Sequence, residues 1–152
     1  PGVRPVVLVG DGAFQMTGLE FSNLVKHRVA ATVILFNNEG FGMQRIFVDG
    51  PFNDVARWDY SKVPELVGGG GYFRVDSPEA LVLAMEAARL RPGEPTLVEV
   101  ILPKGDLSTG LQAMQLAFVR NRTGACPLRA GDAGACGHES SCAFCRATIW
   151  KR

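Results

Sequence analysis

The sequence predicts an α/β fold: a mainly parallel sheet flanked by helices, followed by an irregular C-terminal tail. Strand-like and helix-like segments alternate over most of the chain, which favours parallel strands joined by crossover helices. The strand-like segments are continuous apolar runs, as in strands buried on both faces. The chain has 152 residues and is 47% hydrophobic, which suits a globular domain with a core of its own.

The first half of the chain alternates two strands with one helix. Arg4–Gly10 (RPVVLVG) is an apolar run that ends in glycine, and we expect it to form a buried parallel strand. Gly10-Asp11-Gly12 interrupts the pattern, and Thr17–His27 then carries apolar residues at helical spacings. Ala31–Phe36 (ATVILF) predicts a second buried strand, and Asn37–Gly42 predicts a polar loop.

The second half repeats the alternation after an irregular segment, Val48–Trp58. Ser61 is placed to cap a short helix that runs through Val67. A longer helix is predicted to run from Ser77-Pro78 to about Leu90. Ser77 is a suitable N-cap, and proline is favoured at the first helical position, which Pro78 occupies. We expect the inner face of this helix to carry Leu81, Met85 and Ala88. The remaining predicted elements are the strands Tyr72–Val75 and Thr96–Leu102 and the helix Leu107–Val119.

The composition changes near residue 120, where we predict a boundary between a domain over residues 1–119 and a basic tail over 120–152. The tail holds all four cysteines. Cys142 and Cys145 form a Cys-x-x-Cys pair, Cys136 and His138 lie nearby and Cys126 precedes them, and these are ligand types that zinc uses. The spacing is tight and irregular, so a metal site and a disordered extension both stay open.

Composition also excludes several classes of function. A formal net charge of +1 gives no overall basic field for nucleic acid. No apolar run reaches the roughly 18 residues that a membrane span needs, and no charged-then-apolar start indicates a signal peptide. Because the main body lacks cysteine, we expect a cytoplasmic protein without a disulfide framework. A strand that starts almost at Pro1 predicts a fragment or a processed chain.

Two polar side chains follow two predicted parallel strands. Asp11 lies just past the first strand, and Asn38 lies just past the second. Ligands of such sheets sit beyond the carboxyl ends of the strands, so both side chains open onto one crevice if the strands are neighbours. Mg²⁺ prefers oxygen ligands such as one carboxylate, one amide and phosphate oxygens. Gly40 lets a backbone carbonyl point at the same ion.

The glycines on either side of Asp11 add a place for phosphate. Gly10 and Gly12 let the main chain approach a phosphate closely, and a following helix start offers free N–H groups. Gly-Asp-Gly alone is equally typical of a plain turn. The combination of strand, Gly-Asp-Gly, helix, second strand and Asn37-Asn38-Glu39-Gly40 is more specific, and it predicts a diphosphate site bridged by a metal ion.

This combination resembles a known family. GDGAFQMTGLEFSNL…VILFNNEGFG is similar to the motif of thiamine-diphosphate-dependent enzymes, and DGPFNDVARWDYSKVPELVGG resembles the branch of pyruvate and indolepyruvate (2-oxoacid) decarboxylases. The resemblance covers about residues 3–103. It implies thiamine diphosphate and Mg²⁺ as cofactors. The implied Mg²⁺ ligands are Asp11, the Asn38 side chain and the Gly40 carbonyl, and Gly10, Gly12 and Ala13 would border the diphosphate.

Gln44 departs from the pattern of that branch. Four residues after the metal-site glycine, the most similar decarboxylases carry a glutamate that handles protons near the reacting carbon. Glutamine forms hydrogen bonds but does not act as a general acid at neutral pH. The resemblance therefore implies a catalytic position at Gln44 whose chemistry differs from the family's, with a solvent-facing loop amide as the alternative.

The resemblance also implies partners. In the family, the glutamate that activates the cofactor lies in a separate pyrimidine-binding domain, and the active site forms between domains of two subunits. We therefore expect a pyrimidine-binding domain on the same or another chain, a homo-oligomer and a small 2-oxoacid substrate. The alternatives are a carboligase of the acetolactate-synthase type and a non-catalytic remnant that binds cofactor or a partner.

Overall fold

A computed structural model describes residues 3–123, and the side chains of residues 3–118. The chain divides into two compact units, one of Pro1–Arg45 with Asp49–Asp106 and one of Ile46–Val48 with Leu107–Arg152. The predicted boundary near residue 120 stays a prediction, and the cysteines of the tail lie outside the described residues. No helix within residues 3–123 combines the length and the apolar character needed to cross a membrane.

The first unit is built on a sheet of four parallel strands, which are β1 Val6–Gly10, β2 Thr32–Asn37, β3 Gly71–Val75 and β4 Thr96–Ile101. Their order in the sheet is β1-β2-β4-β3. This confirms the predicted α/β fold with a parallel sheet. The order places β1 beside β2, the arrangement that the predicted crevice requires.

The predicted burial of the first strand is wrong. β1 has β2 as its one strand neighbour within the described residues, so it is an edge strand there. Val6, Val7 and Leu8 are 52%, 45% and 65% exposed. An apolar run predicts burial on both faces, but the sequence does not state the position of a strand in the sheet.

The helix after β1 begins earlier than predicted and is broken. Instead of one helix over Thr17–His27, α1 spans Asp11–Thr17, a 3₁₀ turn spans Gly18–Glu20, and α2 spans Phe21–Lys26. Gly12 lies within α1 although glycine disfavours helix interiors, and Phe14 of the same helix is part of the hydrophobic core. Gly18 lies against the Phe14 ring, and a Cβ at position 18 would stand only 2.5 Å from a carbon of that ring.

The core lies on both faces of the sheet, since neighbouring residues of a strand point in opposite directions. On one face, fully buried Leu97 packs in a cluster with Phe14, Phe21 and Leu35. On the other face, Val98 packs with Val75 and with Ala84 of α5, which spans Pro78–Arg89. Ala88 is buried as predicted, whereas Leu81 and Met85 are half-buried.

The remaining helices are α3 Gly42–Arg45, α4 Val63–Leu66 and α6 Thr109–Thr123, with 3₁₀ turns at Pro51–Asn53 and Tyr60–Lys62.

Two predicted helix caps have different outcomes. The Ser77 hydroxyl accepts a hydrogen bond from the Ala80 N–H at 3.2 Å, which confirms the cap of α5. The predicted cap at Ser61 is wrong, because Asp59 takes that role. The Asp59 carboxylate accepts from both the N–H and the hydroxyl of Ser61.

Replacing Ser77 with alanine should lower the free energy of unfolding by about 1 kcal/mol, because one N–H at the start of α5 loses its acceptor. Equilibrium denaturant unfolding measures this change. Ser61→Ala is the matched control: its hydroxyl donates to Asp59 and accepts from no helix N–H, so its cost should be clearly smaller. Equal costs for the two variants would contradict the capping role.

Candidate functional site

Asp11 joins the ends of two strands. It is the first residue of α1, directly after β1, and its side chain is almost fully buried at 1% exposure. One carboxylate oxygen, Oδ1, accepts from the Gly12 N–H at 2.7 Å, and Oδ2 accepts from the Gly40 N–H at 2.9 Å. Gly40 lies in the loop after β2, so one carboxylate ties together the two loops that the sequence singled out.

The charge of Asp11 is incompletely compensated by the protein. Burial raises the pKa of this carboxyl above its usual value, and the N–H groups of Gly12, Gly40 and Glu39 oppose that change. The ion pairs of the described residues do not include Asp11. A buried carboxylate that lacks a positive partner is a suitable ligand for a hard divalent cation.

The loop after β2 has a backbone that depends on glycine. Glu39 adopts φ +61° and Gly40 φ +153°. A Cβ on Gly40 would lie 2.1 Å from the carbonyl oxygen of Asn53, so a side chain there is excluded by both conformation and contact. The Gly40 carbonyl accepts from the Gly42 N–H at 2.9 Å. Because a carbonyl oxygen has two lone pairs, one remains for a cation.

Asn38 and Gly42 fit against each other. Asn38 is half-buried in the bend between β2 and Gly40. A Cβ on Gly42 would stand 2.8 Å from the Asn38 Nδ2, so the missing side chain makes room for the amide. Asn38, Gly40 and Asp11 thus offer an amide, a carbonyl and a carboxylate around one pair of strand ends. These are oxygen donors of the kind that Mg²⁺ prefers.

The predicted diphosphate residues differ in their surroundings. Around Gly10, a Cβ would meet no atom within 4 Å, and Ala13 is exposed, so both border open space. Gly12 is buried, and a Cβ on it would lie 2.6 Å from the ring of Phe41. A side chain at position 12 would therefore have to displace the Phe41 ring, whereas Gly10 leaves room for a bound group.

Gln44 lies in α3, the short helix that follows this loop, and its side chain is exposed. Its backbone N–H donates to the Phe41 carbonyl at 3.0 Å. The side chain is therefore accessible to a ligand or to solvent, and its catalytic role stays a prediction.

Sequence reasoning missed the hydrogen bonds that hold Asn37. The Asn37 amide donates to Glu99 Oε1 at 2.6 Å, and its Oδ1 accepts from the Glu39 N–H at 3.3 Å. The hydroxyl of Tyr72 donates to the other Glu99 oxygen, and burial together with the Glu99 carboxylate raises the pKa of Tyr72. The sequence signal for these hydrogen bonds was Glu99, an acidic residue inside the otherwise apolar strand TLVEVI. In the structure Glu99 is only 5% exposed.

A cleft of about 320 Å³ lies beside the loop. Its charged groups are paired with one another: Arg57 with Glu39 at 3.6 Å and Lys104 with Asp54 at 2.8 Å. Within residues 3–123, no group of three or more His, Cys, Asp and Glu is placed to hold a metal ion. The cleft is lined by Asn37, Glu39, Asp54, Val55, Ala56, Arg57, Trp58, Tyr60 and Lys104.

Comparison with known proteins points to one family. The family model described as "Thiamine pyrophosphate enzyme, C-terminal TPP binding domain" matches residues 1–100. The chain is 39% identical over 111 residues to the indole-3-pyruvate decarboxylase of Azospirillum brasilense, covering 72% of the chain and 20% of that protein. It is 31% identical over 115 residues to the probable pyruvate decarboxylase Pdc101 of Schizosaccharomyces pombe, covering 73% and 20%. The chain thus spans about a fifth of the length of the curated relatives that it matches.

A solved structure supports the fold. The crystal structure of benzoylformate decarboxylase from Polynucleobacter necessarius superposes with a TM-score of 0.61 and 24% identity, covering 69% of this chain and 20% of that one. At this identity the similarity shows the shared fold alone.

Gly40→Ala should destabilise the chain by about 3 kcal/mol or more, because the backbone must adopt a strained conformation and also move away from Asn53. Gly68→Ala is the matched control: Gly68 also has a positive φ, +82°, but a Cβ there meets no atom within 4 Å. That variant should lose only about 1–2 kcal/mol, the cost of the conformation itself. Denaturant unfolding of both variants compares them, and equal losses would mean that the contact with Asn53 is unimportant.

Proposed function

The chain belongs to the thiamine pyrophosphate (thiamine diphosphate) enzymes through their C-terminal cofactor-binding domain, and we propose that it binds the cofactor's diphosphate through Mg²⁺ in an enzyme that decarboxylates a 2-oxoacid. The observation that carries this proposal is the buried Asp11 carboxylate, which lies at the carboxyl ends of β1 and β2 and forms no ion pair with any side chain of residues 3–118. The names of the similar proteins, which are decarboxylases of pyruvate and indole-3-pyruvate, support the substrate class.

Each residue has a defined task in this proposal. Asp11, the Asn38 amide and the Gly40 carbonyl would hold Mg²⁺, which would supply positive charge to offset that of the diphosphate. Gly10 and Ala13 border the space for the diphosphate, and Gly12 allows Phe41 to pack behind it. Thiamine diphosphate, when bound, supplies the electron sink that loss of CO₂ from a 2-oxoacid requires.

A partner domain is part of the proposal. Catalysis needs a pyrimidine-binding domain, on the same or another polypeptide, in an oligomer whose subunits share the active site. The exposed apolar side chains on β1 and the following helices support such an interface, because groups of this kind mark contact surfaces. They are Val6, Val7, Leu8, Met16 and Leu19.

Asp11→Ala should weaken Mg²⁺-dependent binding of thiamine diphosphate roughly tenfold or more, since the diphosphate would lose its bridging cation. Titration calorimetry with and without Mg²⁺ measures this, on the chain alone and with a pyrimidine-binding domain present. Asp76→Ala is the matched control, because Asp76 also follows a strand, β3, but is exposed. If Asp11→Ala binds as tightly as the parent, the metal assignment is wrong.

Gln44→Glu, made in the complete enzyme, should change the pH profile of turnover by adding an ionisable group beside the reacting carbon. Cofactor affinity should change little, because Gln44 is neither a metal nor a diphosphate ligand in this proposal. The measurement is kcat against pH, with Gln112→Glu on α6 as a control that adds the same charge elsewhere. An unchanged profile would place Gln44 outside the chemistry, and a large loss of cofactor affinity would place it too near the metal.

A further inference from the structure

One arginine is buried directly behind the loop that carries two of the proposed ligands. Arg45 is the last residue of α3, and its side chain is only 7% exposed. Its guanidinium donates to Asp49 Oδ1 at 2.7 Å and to Asp54 Oδ1 at 2.5 Å. The same group also reaches two backbone carbonyl oxygens, those of Glu39 at 3.2 Å and Asn53 at 3.3 Å.

These carbonyl contacts lie on both sides of Gly40. Glu39 separates Asn38 from Gly40 in the chain, so a contact with its carbonyl restrains the peptide between two proposed ligands. The Asn53 carbonyl accepts from the Phe41 N–H at 2.8 Å as well as from Arg45, so it holds the residue that follows Gly40. Between these two points, the Gly40 N–H donates to Asp11.

We propose that Arg45 is a positioning residue for the metal loop: it orients the Asn38 amide and the Gly40 carbonyl toward the ion without touching it. This inference rests on the proposed function, because it needs an ion at Asp11. Arg45 has the geometry for the task, since its two Nη groups reach four oxygens from three segments of the chain. A guanidinium presents its donors in a rigid plane, which the single ammonium of lysine cannot reproduce.

The charge arrangement agrees with this role. Asp49 and Asp54 together compensate the buried guanidinium, and Lys104 and Arg45 hold the pKa of Asp54 below its usual range, which keeps that carboxylate ionised. The cluster is therefore satisfied without the Asp11 carboxylate. Asp11 stays available to a metal ion while the loop beside it is held by a separate set of ion pairs.

The Nε of Arg45 is buried and has no hydrogen-bond partner among the described residues. The hydrogen bonds of the guanidinium in this part of the chain are therefore those of its Nη groups. A residue that only stabilised the fold would lower stability when replaced. A positioning residue must also change the affinity for the ion in protein that remains folded.

The test is the affinity of the full chain for Mg²⁺, measured by calorimetry at saturating thiamine diphosphate, together with thermal unfolding without metal. In Arg45→Met the Mg²⁺ affinity should fall roughly tenfold, as for other groups that orient metal ligands. Arg45→Lys should recover only part of that loss. Arg57→Met is the charge-matched control: Arg57 is 87% exposed and pairs only loosely with Glu39, so its Mg²⁺ affinity should match the parent's.

The possible outcomes separate the alternatives. Unchanged Mg²⁺ affinity in folded Arg45→Met overturns the positioning role, and so does an equal loss in Arg57→Met, which would show a general effect of charge. A parent chain that binds thiamine diphosphate without Mg²⁺ overturns the proposed function instead. If Arg45→Met does not fold, Asp54→Asn provides the test instead, because Asp54 is 40% exposed and pairs with Arg45. Removing the charge of Asp54 should weaken Mg²⁺ binding about two- to threefold. Parent-like affinity in that variant would then overturn the role of Arg45.

Discussion

The hydrogen bond from the Gly40 N–H to the Asp11 carboxylate is the interaction on which the site depends. It joins the end of β1 to the end of β2, two places 29 residues apart in the chain. Because β1 and β2 pair in parallel, both ends come to the same edge of the sheet. Position 40 must lack a side chain because of its φ of +153° and the adjacent Asn53 carbonyl, and position 11 carries the buried acid that accepts the bond.

The two buried acids of the first unit are satisfied in different ways. Glu99 receives hydrogen bonds from the side chains of Asn37 and Tyr72, and both of its oxygens have a partner. Asp11 receives backbone N–H groups, and the ion pairs of the described part of the chain do not include it. The paired asparagines therefore differ: Asn37 anchors the end of β2 to β4, and Asn38 is the one assigned to the ligand in the proposed site.

Much of the fold was predictable because it is recorded locally in the sequence. The four strands and the Ser77 cap follow from apolar runs and from residues within one turn of each other. The exposure of β1 and the role of Glu99 were not predictable, because they depend on strand order and on contacts such as Asn37–Glu99, 62 residues apart. In the candidate site, Asp11 and Gly40 stood out as neighbours of strand ends. Arg45 did not, because its partners lie in loops whose path no periodic pattern describes.

The order of the strands has a consequence for how the chain folds during synthesis. β4 is the last strand along residues 3–123, yet it lies between β2 and β3. Until it emerges from the ribosome, β3 has no strand to pair with, and the apolar faces of β2 and β3 stay open to other nascent chains. The sheet is therefore completed late and from its centre, through contacts distant in sequence, which is a slow kind of assembly. A chain interrupted before Thr96 would keep only the β1–β2 pair and would be a natural substrate for chaperones and proteases.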